Sequence, residues 1–386
     1  MKPAALHKRI YSVATKASEE IVTMKKVLLA LTCLTALILT APSADAAPGS
    51  CSRYKLPYMS STTDGGTSFT TFRLPTRQNF SLTWGIASLD SDGTLVMQAD
   101  DALFGTENDG CKWTKIGSEA VGIYRVAAGP QGHAYAWQDN GGAIYQVIHG
   151  DAPNNRWSSS YRKSPINGMK GFAVDPNDPL HVRTASDPGQ IYDSVDGGLT
   201  WRAIGVPAMP GGILGYVTAF DPNDLDHAVY GRVTDGGYVT FDGGQTWTQA
   251  TGLAAVAGSP VNFFNAVISP ADGNTVFAAV LDRSNGTERR IYSSTDGGLT
   301  YTPRLNDGEN GVFLTNSPVM KADYDDANLL RFVFSSSPVF GGTFFYEYDL
   351  GSDTVTTTPN GSLPRVREIE PSRTSPGKLH VGFDFN

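Results

Sequence analysis

The chain has 386 residues, 40% of them hydrophobic and 18% charged, with 42 Gly and 23 Pro. Thirty Lys/Arg stand against 38 Asp/Glu, a formal net charge of −8. An acidic chain without a basic stripe argues against nucleic acid and anionic membrane surfaces as partners, and so many Gly and Pro fit a chain built of short strands and turns.

In chain order, residues 1–23 read as a leader ahead of Met24. Lys25-Lys26, an apolar run from Val27 to Ala41, and Ala44-Asp45-Ala46 have the layout of a secretory signal peptide with its cleavage site. The run is too short to span a bilayer. Residues 1–46 are expected to be removed, leaving 47–386 as one domain of a secreted, monomeric protein. Six Lys/Arg and three Asp/Glu leave with them, so the remainder carries a net charge of −11.

A repeat begins at Thr62-Thr63-Asp64-Gly65-Gly66-Thr67-Ser68-Phe69. It returns as Ser194-Val195-Asp196-Gly197-Gly198-Leu199-Thr200-Trp201, as Thr240-Phe241-Asp242-Gly243-Gly244-Gln245-Thr246-Trp247, and as Ser294-Thr295-Asp296-Gly297-Gly298-Leu299-Thr300-Tyr301. Asp followed by two Gly makes a tight hairpin turn: Gly supplies positive φ and Asp binds nearby backbone N–H groups. The closing aromatic sets the period. Phe69, Trp113, Trp157, Trp201, Trp247 and Tyr301 are 44, 44, 44, 46 and 54 residues apart, and a further step of 54 reaches Val355. Upstream of each lies an apolar strand ending in an Asp-Pro-type turn, as in Phe172-Ala173-Val174-Asp175-Pro176. Four short strands per period make a propeller blade, and seven copies make the ring. Residues 52–72 hold only the last two strands of a blade, and the segment from Glu368 to Phe383 only the first two. Pairing these halves closes the ring and removes the open sheet edge. The expected fold is an all-β, seven-bladed β-propeller.

The Ser/Thr-x-Asp-Gly-Gly-x-Thr-aromatic motif resembles the Asp-box (BNR) repeat of sialidases and related propellers. That resemblance implies structural roles at the rim for Asp64, Asp196, Asp242 and Asp296. Sialidases further require three Arg, a Tyr–Glu pair and an Asp. Phe72-Arg73-Leu74-Pro75 resembles the segment carrying the first Arg, but here it follows the first box rather than preceding it, and the other members have no visible counterparts.

Cys51 and Cys111 remain after Cys33 leaves with the signal, an even pair in an exported chain. They read as a disulfide pinning the first half-blade to its neighbour, worth roughly 4 kcal/mol for a loop of this size; two free thiols are the alternative. No Cys-x-x-Cys or His cluster accompanies them, so neither a metal nor a cofactor is expected. His133, His181, His227 and His380 are assigned one repeat position at the start of the second strand, a structural rather than catalytic placement. Asp90-Ser91-Asp92-Gly93 opens like a calcium loop but lacks its closing ligands.

Ligands of propellers usually meet the face opposite the Asp-Gly-Gly turns. Alignment on the Asp-Pro turn, with Asp325 as its member in the sixth copy, places Tyr124, Lys170, Tyr216, Phe264, Met320 and Arg365 at one position there, with Gly85 as the seventh. Arg125 and Lys321 follow by one, and Arg367 is near. An aromatic and cationic ring suits a peptide-like or anionic partner better than acid/base hydrolysis. The loops 249–263 and 302–318 are the longest and carry apolar residues, read either as a protein-binding patch or as cover for neighbouring blades. Together these features favour a non-enzymatic binding protein for another extracellular protein. The family contains small secreted members that act on a secreted protease, and this is the partner the resemblance implies. The rival is an Asp-box glycoside hydrolase or polysaccharide lyase acting on an extracellular glycan, marked by two close carboxylates or a carboxylate–Tyr–Arg cluster. A third reading, assembly of membrane complexes, would need an Arg patch.

Overall fold

The computed structural model describes residues 59–384, apart from 70–82, 101, 111, 118–121, 123, 140, 151–156, 167, 210–214, 255–258, 285–287 and 337–341. The expected signal segment, Arg73 and both Cys51 and Cys111 lie outside the described residues. The chain forms seven antiparallel sheets arranged as a seven-bladed β-propeller. Blades 1 to 6 are four-stranded: Thr83–Gly117, Arg125–Lys163, Gly171–Ile204, Gly215–Gln249, Val261–Asn306 and Val319–Asn360. Blade 7 joins the two ends of the sequence. Arg365–Pro371 pairs with Leu379–Asp384, which pairs with Met59–Thr62 in the register Met59↔Gly382 to Thr62↔Leu379.

Blades 3 to 5 run inner strand, turn, second strand, hairpin, third strand, Asp-Gly-Gly turn, outer strand, and the described part of blade 7 follows the same order through its Asp-Gly-Gly turn. Antiparallel pairing puts both turns at one end of the ring, where they bond to each other. Gly197 donates to the Leu180 carbonyl (2.8 Å), Gly243 to Asp226 (3.0 Å) and Gly297 to Asn274 (2.8 Å). The opposite end, the mouth, carries the inter-blade loops.

The turns follow from their residues. Gly197 and Gly198 hold φ of +69° and +87°, which a side chain would strain. The Asp196 carboxylate accepts from Ser194 Oγ (2.8 Å), Thr200 N (2.9 Å) and Thr200 Oγ1 (2.6 Å). Asp64, Asp242 and Asp296 make the same set with Ser68, Thr246 and Thr300. At Asp196, desolvation raises the carboxyl, but these bonds together outweigh it and hold the group down at about 2.

The core is not one body but seven, one per blade interface. Every repeat aromatic sits in the interface with the preceding blade. Trp113 packs between blades 7 and 1, Trp157 between 1 and 2, Trp201 between 2 and 3, and Trp247 between 3 and 4. Tyr301, Val355 and Phe69 complete the ring. The fit leaves no slack. A Cβ on Gly105 of blade 1 would lie 2.4 Å from the Trp157 ring. The apolar residues of the long loops join the same clusters: Leu253, Val312 and Leu314 are buried, and Phe313 is exposed.

The first strand of each blade ends where its N–H bonds the carbonyl opening the second. Those donors are Leu89, Gly129, Asp175, Asp221, Ser269, Asp323 and Ser372. Asp323, not Asp325, is thus the sixth member, which corrects the sequence alignment. The same bonds end on His133, His181 and His227 but on Lys378 in blade 7, so His380 sits two residues deeper. His181 is held between Asp175 (2.8 Å) and Asp193 (2.9 Å), and His227 between Asp221 (3.1 Å) and the Gly297 carbonyl (2.8 Å). Burial pushes His380 down to about 4.

Two outcomes are expected. Trp201→Ala should cost about 3 kcal/mol in a urea titration, because it empties one blade interface. Stability should fall as pH drops from about 6.5 to about 4, where unfolded His380 binds a proton that the folded site refuses. His380→Leu should flatten that part of a stability-against-pH curve.

Candidate functional site

A central channel of about 740 Å³ runs between the inner strands, from the mouth to the turn end. Its wall can be built position by position from the strand-ending residues. Two residues earlier, the seven blades present Ala87, Ala127, Ala173, Ala219, Val267, Lys321 and Glu370, and all seven line the channel. One residue later, Pro130, Pro176, Pro222 and Pro270 are joined by Tyr324 and Arg373. Five blades thus supply small apolar groups where blades 6 and 7 supply charge. One side of an apolar tube is polar.

That side is a connected cluster. Lys321 Nζ lies 3.0 Å from Glu370 and 3.7 Å from Glu368. Tyr324 donates its hydroxyl to Glu370 Oε1 at 3.0 Å, and the Ser88 N–H donates to the same oxygen at 3.2 Å. The Arg373 guanidinium sits over the Tyr324 ring, 5.1 Å from its centroid. Burial weakens the Lys321 ammonium, but Glu370 and Glu368 outweigh it and hold Lys321 above its usual range. Burial raises the Glu368 carboxyl against the pull of Lys321 and Arg125. Burial and then the Glu370 charge raise the Tyr324 phenol. Neither the Tyr324–Glu370 pair nor its Arg373 neighbour was found from sequence. The break in an otherwise regular Ala/Pro pattern is the signal that could have found them.

The residues singled out from sequence divide into three groups. Arg125, Lys170, Tyr216, Phe264 and Lys321 line the channel. Tyr216 and Phe264 face each other with ring centroids 4.5 Å apart, Arg125 pairs with Asp139 (2.9 Å) and Lys170 with Asp187 (3.2 Å). Tyr124 and Met320 are buried in the interfaces 1/2 and 5/6, and burial pushes the Tyr124 phenol up to about 12. Arg365 borders a side pocket with Phe313 and Phe334, and Arg367 pairs with Asp384 (2.8 Å). The strand-end bonds account for Met320 and Arg365 in this split, since neither is equivalent to the others. Five residues before each strand end stand Trp84, Tyr124, Lys170, Tyr216, Phe264, Pro318 and Arg367, so Gly85, Met320 and Arg365 are not members. In blades 1, 4, 5 and 7 the register shifts at this position, a bulge that re-aims the residue it carries.

Among the described residues no group of three or more His, Cys, Asp or Glu is placed to hold a metal ion, and no helix is long and apolar enough to cross a membrane.

Ring, closure and channel define the class: a seven-bladed β-propeller whose first and last described strands share one blade. No protein-family model matches the chain. It is 38% identical over 377 residues to dispase autolysis-inducing protein of Streptomyces mobaraensis, covering 94% of this chain and 98% of that protein. The chain belongs to the family of dispase autolysis-inducing protein. A xyloglucanase of Paenibacillus sp. is 29% identical over 189 residues, which cover 41% of this chain and 18% of the enzyme. A GH74 enzyme of Niastella koreensis superposes with a TM-score of 0.56 at 18% identity, over 78% of this chain and 51% of that one, a likeness of fold alone.

Replacing Lys321 by Met should destabilise the ring by about 3 kcal/mol, because it removes the ammonium that the buried Glu368 and Glu370 share. Lys321→Met combined with Glu370→Gln should recover part of that loss in the same melting experiment.

Proposed function

We propose that this propeller is an exported binding protein that docks on a secreted protease and promotes the protease's self-cleavage, hydrolysing nothing itself. The observation that carries this reading is the 38% identity to dispase autolysis-inducing protein across nearly the whole of both chains. The signal-like stretch from Lys25 to Ala46 agrees with export. The mouth offers a contact surface: the Tyr216–Phe264 aromatic pair flanked by Arg125 and Lys170. Such rings supply contact area at low entropic cost.

A glycan hydrolase is the second reading, favoured by one observation. Tyr324, Glu370 and Arg373 form a carboxylate–Tyr–Arg cluster, and Glu368 and Glu370 share one ammonium. The electrostatics weigh against it. Burial and the Glu370 charge raise the Tyr324 phenol, which makes it a poor nucleophile at neutral pH.

Incubation of residues 47–386 with dispase tests the first reading. Intact protease should disappear several-fold faster than in its absence, and Tyr216→Ser with Phe264→Ser should weaken the complex at least tenfold by calorimetry. No complex and no acceleration would overturn it. Turnover of a sialoside or polysaccharide, lost in both Tyr324→Phe and Glu370→Gln, would establish the hydrolase instead.

A further inference from the structure

We propose that the turn end of blades 3 and 4 is a second docking surface, which takes a protein surface whose apolar centre is rimmed by basic side chains. Among the described residues eight large hydrophobic side chains are exposed; six fall on these two adjacent blades, Tyr216 at the mouth and the other five, Leu180, Val195, Leu199, Val206 and Phe241, away from it. The repeat does not demand them. Where Val195 and Phe241 precede the turn Asp, the copies in blades 7, 1 and 5 carry Thr63, Glu107 and Thr295. Nor does the fold, since Val195 and Leu199 are 69% and 62% exposed. Blade 5 repeats Leu199 as Leu299, but there the side chain packs on a core cluster; apolar groups left in water where sister copies place a polar or a covered one mark an interaction surface.

The patch is held in one shape. The Gly197 N–H bonds the Leu180 carbonyl (2.8 Å), which sets Leu180 beside the turn carrying Val195 and Leu199. The Val206 N–H bonds the Gly244 carbonyl (2.7 Å), and Arg183 reaches across to Asp226 (2.5 Å), so the two blades are tied at this end. Phe241 is stacked on His227, centroids 4.6 Å apart and planes 15° from parallel. A fixed ring loses little freedom on binding.

Charge selects the occupant. Asp178, Asp196, Asp224, Asp226 and Asp242 lie on the same turns. Of the nearby cations, Arg183 is spent on Asp193 and Asp226. A second copy of this chain would bring these acids against themselves, whereas a basic rim on the partner would meet them.

This surface lies at the opposite end of the ring from the mouth, and the inference rests on the protease-binding reading. Self-cleavage between two protease molecules is bimolecular. A rigid ring with a docking surface at each end would hold two of them at a fixed short distance and raise their effective concentration toward the millimolar range. The partner on the blade 3–4 patch is then a second protease molecule.

Sedimentation of residues 47–386 with active-site-blocked dispase, and self-cleavage assays with active dispase, test this. The wild type should carry two protease molecules. Its acceleration should rise and then fall as the propeller is added in excess, because excess separates the pair. The variant V195K/L199K should carry one and lose at least tenfold of the acceleration, and V195S/L199S should do the same more weakly. Both keep the ring, since the replaced side chains are exposed; an unchanged melting temperature checks this. A variant that still carries two, or a wild type that binds one with a monotonic response, would overturn the second surface and leave the first reading standing. A wild type that carries none would overturn both. Self-association of the wild type alone, abolished in V195K/L199K, would assign the patch to a second copy and refute the proposal.

Discussion

The contact on which the molecule depends is the wedge that each blade drives into its predecessor. One aromatic per blade, after the Asp-Gly-Gly turn, enters the interface behind it; in blade 6 Val355 takes that place. A four-stranded sheet has two faces to cover and too little of its own chain to cover them. The ring solves this by repetition, since every blade's face is its neighbour's cover. Stability is therefore nearest-neighbour in character. It is also conditional on closure, because an open ring would leave two faces wet.

Repetition makes exceptions informative. Seven inner strands pass the channel at equivalent heights, and five supply Ala or Val where Lys321 and Glu370 stand. A buried ion pair is costly against a hydrophobic alternative, and this protein demonstrably has that alternative in its other blades. The polar wall is thus retained despite its cost. The exposed apolar turns of blades 3 and 4 are the same kind of exception in reverse.

Fold was far more legible in the sequence than site. The Asp-Gly-Gly-aromatic period is local chemistry repeated, and each copy confirms the phase of the others. Closure was legible because each end lacks the half that the other has. The channel was not, for two reasons. Blade 6 has Asp323-Tyr324-Asp325 where blades 3 and 4 have Asp-Pro, so the turn could be placed two residues late, and Met320 then displaced Pro318. The bulges also break the period of two that tells inward from outward. Tyr324 and Glu370 lie 46 residues apart on different blades, and nothing in one sequence pairs them. The register of seven strands does.

Blade 7 carries a consequence for how the chain reaches this state. Its third strand, Met59–Thr62, is made first, and its partner, Leu379–Asp384, last. Six blades can assemble as the chain emerges, but the early strand must wait, unpaired, for nearly the whole sequence. During that wait its edge is open to any matching strand, including Leu379–Asp384 of another molecule. The shared blade that locks the finished ring is therefore also the place where two unfinished ones can exchange strands, and crowding while the chain folds favours exchange over closure.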